Sequence, residues 1–139
     1  MNFEESVIEL TRVIPFKMPQ EFLEEIVLNS SAIIFSKPFE VLFKRGDHAL
    51  GFYWLLKGRV VLQGTDERIL CEYHAGGMVG LDNFLNKEIH RFNIITIDPE
   101  VSTLFVDRRC YEQMMQNSRF QGFLNKQLLW QLKSLKSAI

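Results

Sequence analysis

The chain has 139 residues, 47% hydrophobic and 24% charged, with a formal net charge of −1. That length suits one domain able to bury its own core, and the near-neutral balance supplies no overall field toward nucleic acid or an acidic membrane. Two cysteines, Cys71 and Cys110, make neither a disulfide framework nor a metal-ligand pair, so a reduced, cytoplasmic setting is expected.

The opening MNFEESVIEL is acidic and has no uninterrupted apolar stretch, so it does not read as a signal peptide. No apolar run approaches the roughly 18 residues that a membrane span requires. Phe3, Val7, Leu10 and Ile14 recur at spacings of 4, 3 and 4, which predicts a helix with one apolar face, stopped by Pro15. A second helix is predicted from Pro19, a good first-turn residue, to Asn29. Its buried side is Phe22, Leu23, Ile26 and Val27, with Glu21, Glu24 and Glu25 toward its positive end.

From Ser30 to Asp107 the texture changes to short β-branched and aromatic runs between Gly, Pro, Asn and Asp. Strands are predicted at about 31–36, 40–44, 50–56, 59–63, 67–74, 78–80, 91–97 and 101–107. Twelve phenylalanines fit a core built from such runs. Gly64-Thr65-Asp66 reads as a hairpin loop, and Gly46-Asp47 and Lys57-Gly58 as turns. Only the short piece after Gly80 is helical in character.

Asp107 is a plausible N-cap, after which Tyr111, Met114 and Met115 restore the helical period. Ser118-Arg119-Phe120-Gln121 reads as a capping box opening the last helix. There Leu128, Leu132, Leu135 and Ile139 form a seam spaced 4, 3 and 4, while Phe120, Phe123, Leu124 and Leu129 lie on other faces. A helix apolar on several sides has two partners, here its own strands and a symmetry mate, unless every apolar residue packs at home. Trp130 is either an interface anchor or a wedge against the strands. Helices (1–29), a block of strands (30–107), then helices (108–139) describe one α+β domain.

Four features together resemble the cyclic-nucleotide-binding domain of the catabolite activator (Crp/Fnr) family of transcriptional regulators. Glu40-Val41-Leu42-Phe43-Lys44-Arg45-Gly46-Asp47 is similar to the family's strand ending in a Gly-Asp turn. Gly51-Phe52-Tyr53-Trp54-Leu55-Leu56-Lys57-Gly58-Arg59-Val60 resembles its aromatic strand, Lys-Gly turn and next strand. Gly76-Gly77-Met78-Val79-Gly80 leads into a short helix, as in the family's phosphate-binding cassette, here 76–92. Arg91 follows Gly80 by eleven residues, as the family's phosphate-binding arginine follows its cassette glycine.

The resemblance implies an eight-stranded antiparallel β-roll, a double-stranded β-helix of jelly-roll type, with N-terminal helices and a long C-terminal dimerisation helix. It implies a non-enzymatic sensor that binds a cyclic nucleotide (cAMP or cGMP) or another small anion and signals through that helix in transcription regulation. The family's helix-turn-helix has no counterpart in these residues, so direct nucleic-acid contact is not expected. The ligand site carried over comprises Gly80, Leu81, Asp82, Asn83, Arg91, Phe92 and, on the last helix, Ser137 beside Lys136.

A cyclic phosphate needs backbone N–H groups and a cation, which the Gly80 segment and Arg91 would provide. The plain alternative for Arg91 is a solvated arginine on an edge strand. Leu81 stands where the family has a ribose-binding Glu, and it cannot accept a hydrogen bond. Asp82, one residue on, either takes that part or satisfies backbone N–H groups at the helix start. Phe92 and Asn93 replace the family's Ser or Thr and then Ala, so Phe92 either plugs the pocket or stacks on a flat ligand. Each ligand hydroxyl left unpaired costs about 1–3 kcal/mol, roughly tenfold or more in affinity. A decayed cassette, closed by Leu81 and Phe92, would leave a dimerisation or docking module.

Cys71 and His74 point to opposite faces of a strand and serve one metal ion poorly, so no metal is expected. His48 and His90 sit near a turn and a strand start, where solvated histidines are common. No nucleophile-base-acid order, close carboxylate pair or His cluster suggests catalysis. The basic residues, Arg108-Arg109 included, form no stripe.

Overall fold

A computed structural model describes residues 1–15 and 17–138, with the backbone alone for 131–138. Two helices lead, α1 (Phe3–Val13) and α2 (Gln20–Asn29). Asn2 and Glu5 close a reciprocal capping box on α1, and Pro19 opens α2. Val7, Leu10 and Ile14 are buried as the spacing predicts, but Phe3, at the outer end of α1, is 42% exposed.

Eight strands follow where the turn residues delimit them: β1 (Ser31–Phe35), β2 (Val41–Phe43), β3 (Gly51–Lys57), β4 (Val60–Gln63), β5 (Ile69–Tyr73), β6 (Met78–Val79), β7 (Asn93–Thr96) and β8 (Val101–Asp107). A short helix, α3 (Leu81–Leu85), separates β6 from β7, and α4 (Arg108–Met115) and α5 (Ser118–Ala138) close the chain. The strands form two antiparallel four-stranded sheets, ordered β1-β8-β3-β6 and β2-β7-β4-β5.

Strand β3 organises both cores. Because successive side chains alternate between faces, Phe52, Trp54 and Leu56 enter a core shared with the helices, while Tyr53 and Leu55 enter one between the sheets. Burial on both faces explains why this strand reads as a continuous apolar run. The helical core takes Leu10, Phe22, Ile26, Leu104, Phe120 and Phe123. The other takes Leu42, Phe43, Val60, Val79, Ile94 and Val101.

Asp107 caps α4, its carboxylate accepting from the Cys110 N–H at 2.9 Å. The cap near α5 lies one residue earlier than the sequence pattern suggests. Asn117, not Ser118, accepts from the Arg119 N–H at 2.9 Å. Phe120, Phe123 and Leu124 are buried against the home core, and Leu128 of the expected seam also packs there. The side chains of Leu132 and Leu135, and Ile139 altogether, lie outside the described residues.

Thr96 is fully buried and works as a clamp on the β1–β2 connection. Its hydroxyl donates to the Lys37 carbonyl at 3.0 Å and accepts from the Glu40 N–H at 2.9 Å. Thr96→Val keeps the shape and leaves both backbone groups short of that hydroxyl. We expect a loss of about 1–3 kcal/mol in urea unfolding; an unchanged midpoint and slope would show that the clamp carries no stability.

Candidate functional site

The chain turns from β6 into α3 within one residue, Gly80, whose φ is +82°. A Cβ there would lie 2.5 Å from Cε2 of Phe43, so both the dihedral and the close approach require glycine. The Phe43 ring in turn stacks on the His90 imidazole, with centroids 3.9 Å apart and planes 23° apart. Three distant segments thus meet at one place.

Beside this stack lies a cavity of about 260 Å³. Its apolar side is formed by Leu62 of β4, Tyr73 of β5, Ile94 of β7 and Phe92. Its polar side comes from Asp82, Asn83 and Asn86 around α3 and from Glu88, His90 and Arg91 on the way to β7. Of the residues singled out from sequence, Gly80, Asp82, Asn83, Arg91 and Phe92 are brought together here.

Leu81 is not among the lining residues; it is 2% exposed within the helical core. The αL turn at Gly80 therefore leaves Asp82, not residue 81, to present a carboxylate to the cavity. Asp82 makes no side-chain cap on α3. Phe92 is a half-buried wall and leaves the cavity open. Asn93 has a structural part, its side-chain oxygen accepting from the Arg45 N–H at 2.7 Å. The side chains of Lys136 and Ser137 lie outside the described residues.

Arg91 precedes β7, an inner strand, and is not on a sheet edge. Its guanidinium donates to Glu88 at 3.2 Å, with side chains 70% and 41% exposed. An exposed pair of this kind contributes only about 0–1 kcal/mol, so it sets local charge more than stability.

His90 differs most from the sequence expectation. It is 2% exposed, not solvated, because its ring lies on Phe43 and its backbone is held on both sides by the Gly46–Asp47 turn. Burial holds its pKa below the ordinary imidazole value, against the opposing pull of the Asp82 and Asp47 carboxylates. It is therefore neutral near pH 7, and its Nε2 has no hydrogen-bond partner among the described residues. Burial also pushes the Tyr73 phenol well up, helped by Cys71 and Asp82, so its hydroxyl stays protonated. Tyr73, Asn86, Glu88 and His90 escaped the motif-based reading, although Glu88 stands three residues before Arg91.

Residues 76–92 are tied to the last helices at two points. Arg108 donates to the Phe84 carbonyl at 3.0 Å, with its guanidinium 4.2 Å above the Phe84 ring. Gln127, fully buried on α5, donates to the Gly76 carbonyl at 2.6 Å. Among the described residues no group of three or more His, Cys, Asp or Glu is placed to hold a metal ion. None of the helices they form is long and apolar enough to cross a membrane.

The family profile for the cyclic nucleotide-binding domain matches residues 34–118, from β1 to the start of α5. The chain belongs to the cyclic nucleotide-binding domain family. No curated protein matches it. Among solved structures, a cyclic nucleotide-binding domain from Methylobacillus flagellatus superposes with a TM-score of 0.73 at 14% identity, covering 95% of this chain and 76% of that one. The regulatory domain of Toxoplasma gondii PKA with cAMP gives 0.69 at 17% identity, covering 91% and 49%. A regulatory subunit of a cAMP-independent protein kinase A from Trypanosoma cruzi bound to guanosine gives 0.65 at 21%, covering 80% and 41%. At these identities the likeness is one of fold, and the chain spans less than half of either kinase protein. Within this fold the cavity lies between α3, the segment leading to β7, and strands β4, β5 and β7.

The His90 shift has a measurable sign. Its folded-state pKa lies below the unfolded value of about 6.5, so its contribution is present above that pH and is lost as pH falls through it. Wild-type stability should decline as pH falls below about 6.5, by at most about 1.4 kcal/mol per pH unit from this group. His90→Gln should flatten that decline in denaturant titrations; parallel curves would remove His90 as its source.

Proposed function

We propose that the chain is a non-enzymatic, ligand-sensing regulatory domain of Crp/Fnr type. It takes a small nucleotide-like effector in the cavity beside Gly80 and relays binding to α5. The observation that carries this reading is the cavity itself, an open space of about 260 Å³ at the cassette, lined by polar groups from α3 and from the segment leading to β7. A decayed cassette would need Leu81 and Phe92 to fill that space. Leu81 faces the other core and Phe92 forms a wall, which supports the sensor over the scaffold.

The effector class follows from the family and from two neighbours of the same fold. The Toxoplasma domain was obtained with cAMP and the Trypanosoma cruzi subunit with guanosine, both a purine on a ribose. In this chain Gly80, Asp82, Asn83, Arg91 and Phe92 are the proposed contacts, with Tyr73 and His90 added. The relay runs through two ties, Arg108 to Phe84 and Gln127 to Gly76. A ligand shifts such an equilibrium only if it contacts the two states differently, and displacement of α3 alters the tie from Arg108 to Phe84.

A homodimer through α5 belongs to the same reading. Leu129, an apolar residue 61% exposed on that helix, is available to a second copy. A role in transcription regulation comes from the Crp/Fnr resemblance alone, and a cytoplasmic location from the two unpaired cysteines.

Calorimetric titration with cAMP, cGMP, adenosine and guanosine tests the reading. At least one should bind saturably at one per chain. Leu62→Trp, which fills the cavity from a half-buried wall position, should weaken that binding tenfold or more while circular dichroism stays native. Silence from all four ligands would sink the sensor and leave the scaffold.

A further inference from the structure

The charge of the cavity narrows the effector further. Two carboxylates, Asp82 and Glu88, face it against one guanidinium, Arg91, and that guanidinium is already paired with Glu88 at 3.2 Å. His90 adds no positive charge, being buried and neutral. An arriving phosphate would have to displace Glu88 from Arg91 and would still stand beside two negative groups. The single turn of α3 adds little compensating dipole.

What the cavity does offer is hydrogen bonding without net positive charge. Asn83 and Asn86 carry carboxamides that both donate and accept, and Tyr73 carries a protonated phenol. The decisive group is His90. It lines the cavity, is 2% exposed, and its Nε2 lacks a partner among the described residues. A buried polar atom in that condition is costly to leave unpaired, and a neutral imidazole suits a hydroxyl or the polar edge of a base. Phe92 and Leu62 supply apolar surface for a flat ring. The volume, about 260 Å³, lies just under the roughly 300–1,000 Å³ typical of drug-sized sites, too small for a dinucleotide.

We infer that this cavity selects an uncharged ribonucleoside over its cyclic monophosphate, with Glu88 as the specificity-determining residue. The inference rests on the sensor reading above and deepens it. Glu88 acts by occupying the one cation that a phosphate would need, and by repelling the phosphate once there.

The same four-ligand calorimetry separates the two levels of the argument. In the wild-type chain, adenosine or guanosine should bind about tenfold more tightly than cAMP or cGMP respectively. Glu88→Gln, at a 41% exposed position that should leave the fold intact, should tighten the cyclic monophosphate about tenfold and move the nucleoside less than threefold. The gained affinity should weaken on raising salt, whereas nucleoside binding should not. Equal or tighter wild-type binding of the cyclic form overturns this inference and leaves the sensor standing. An unaltered ratio in Glu88→Gln overturns the role of Glu88. Silence from all four ligands removes both readings together.

Discussion

The passage of the Gly80 backbone over the Phe43 ring is the contact on which the site depends. A left-handed residue at that point lets β6 end and α3 begin within one step, at a distance no side chain would permit. Phe43 belongs to β2, and His90 lies on it from the connection before β7. One glycine therefore couples the two sheets, the short helix and the polar wall of the cavity. Without that close pass, α3 would have to lift from the sheet, taking Asp82 away from the cavity it lines.

Charge arrangement follows from the same geometry. With Leu81 turned into the helical core, Asp82 presents its carboxylate where the resemblance places a glutamate one residue earlier. The exchange is not equivalent. The side chain is shorter, it starts from the next position on the turn, and it shares the cavity with a second acid at 88. The surplus charge lining the cavity is negative, while its capacity for neutral hydrogen bonds is large.

Much of the architecture was legible because short-range physics decides it. Gly46, Gly58, Gly76 and Gly80 all adopt positive φ, so turn chemistry marked the strand boundaries correctly. The continuous run through Phe52, Tyr53, Trp54, Leu55 and Leu56 announced a strand buried on both faces, and Asp107 caps the helix it precedes. The site was less legible because it is assembled from long-range contacts. Nothing local tells His90 from a solvated histidine; its burial depends on a ring 47 positions earlier in the chain. Whether 81 or 82 faces the cavity depends on the handedness of one turn, which the motif spacing does not encode. Leu128 fitted a heptad seam and a home-facing stripe equally well, and in the structure it is half-buried against the home core.

The seating of α5 has a spectroscopic consequence. The chain has two tryptophans. Trp54 is sealed in the helical core beside Phe123, with no exposed surface. Trp130 lies so close over Gly76 that a Cβ there would come within 2.8 Å of its ring. The first indole is shielded from solvent changes at the surface, while the second sits on the loop that leads into the cavity. Emission from Trp130 therefore reads the position of the last helix directly, giving this small protein a built-in optical gauge that needs no attached dye.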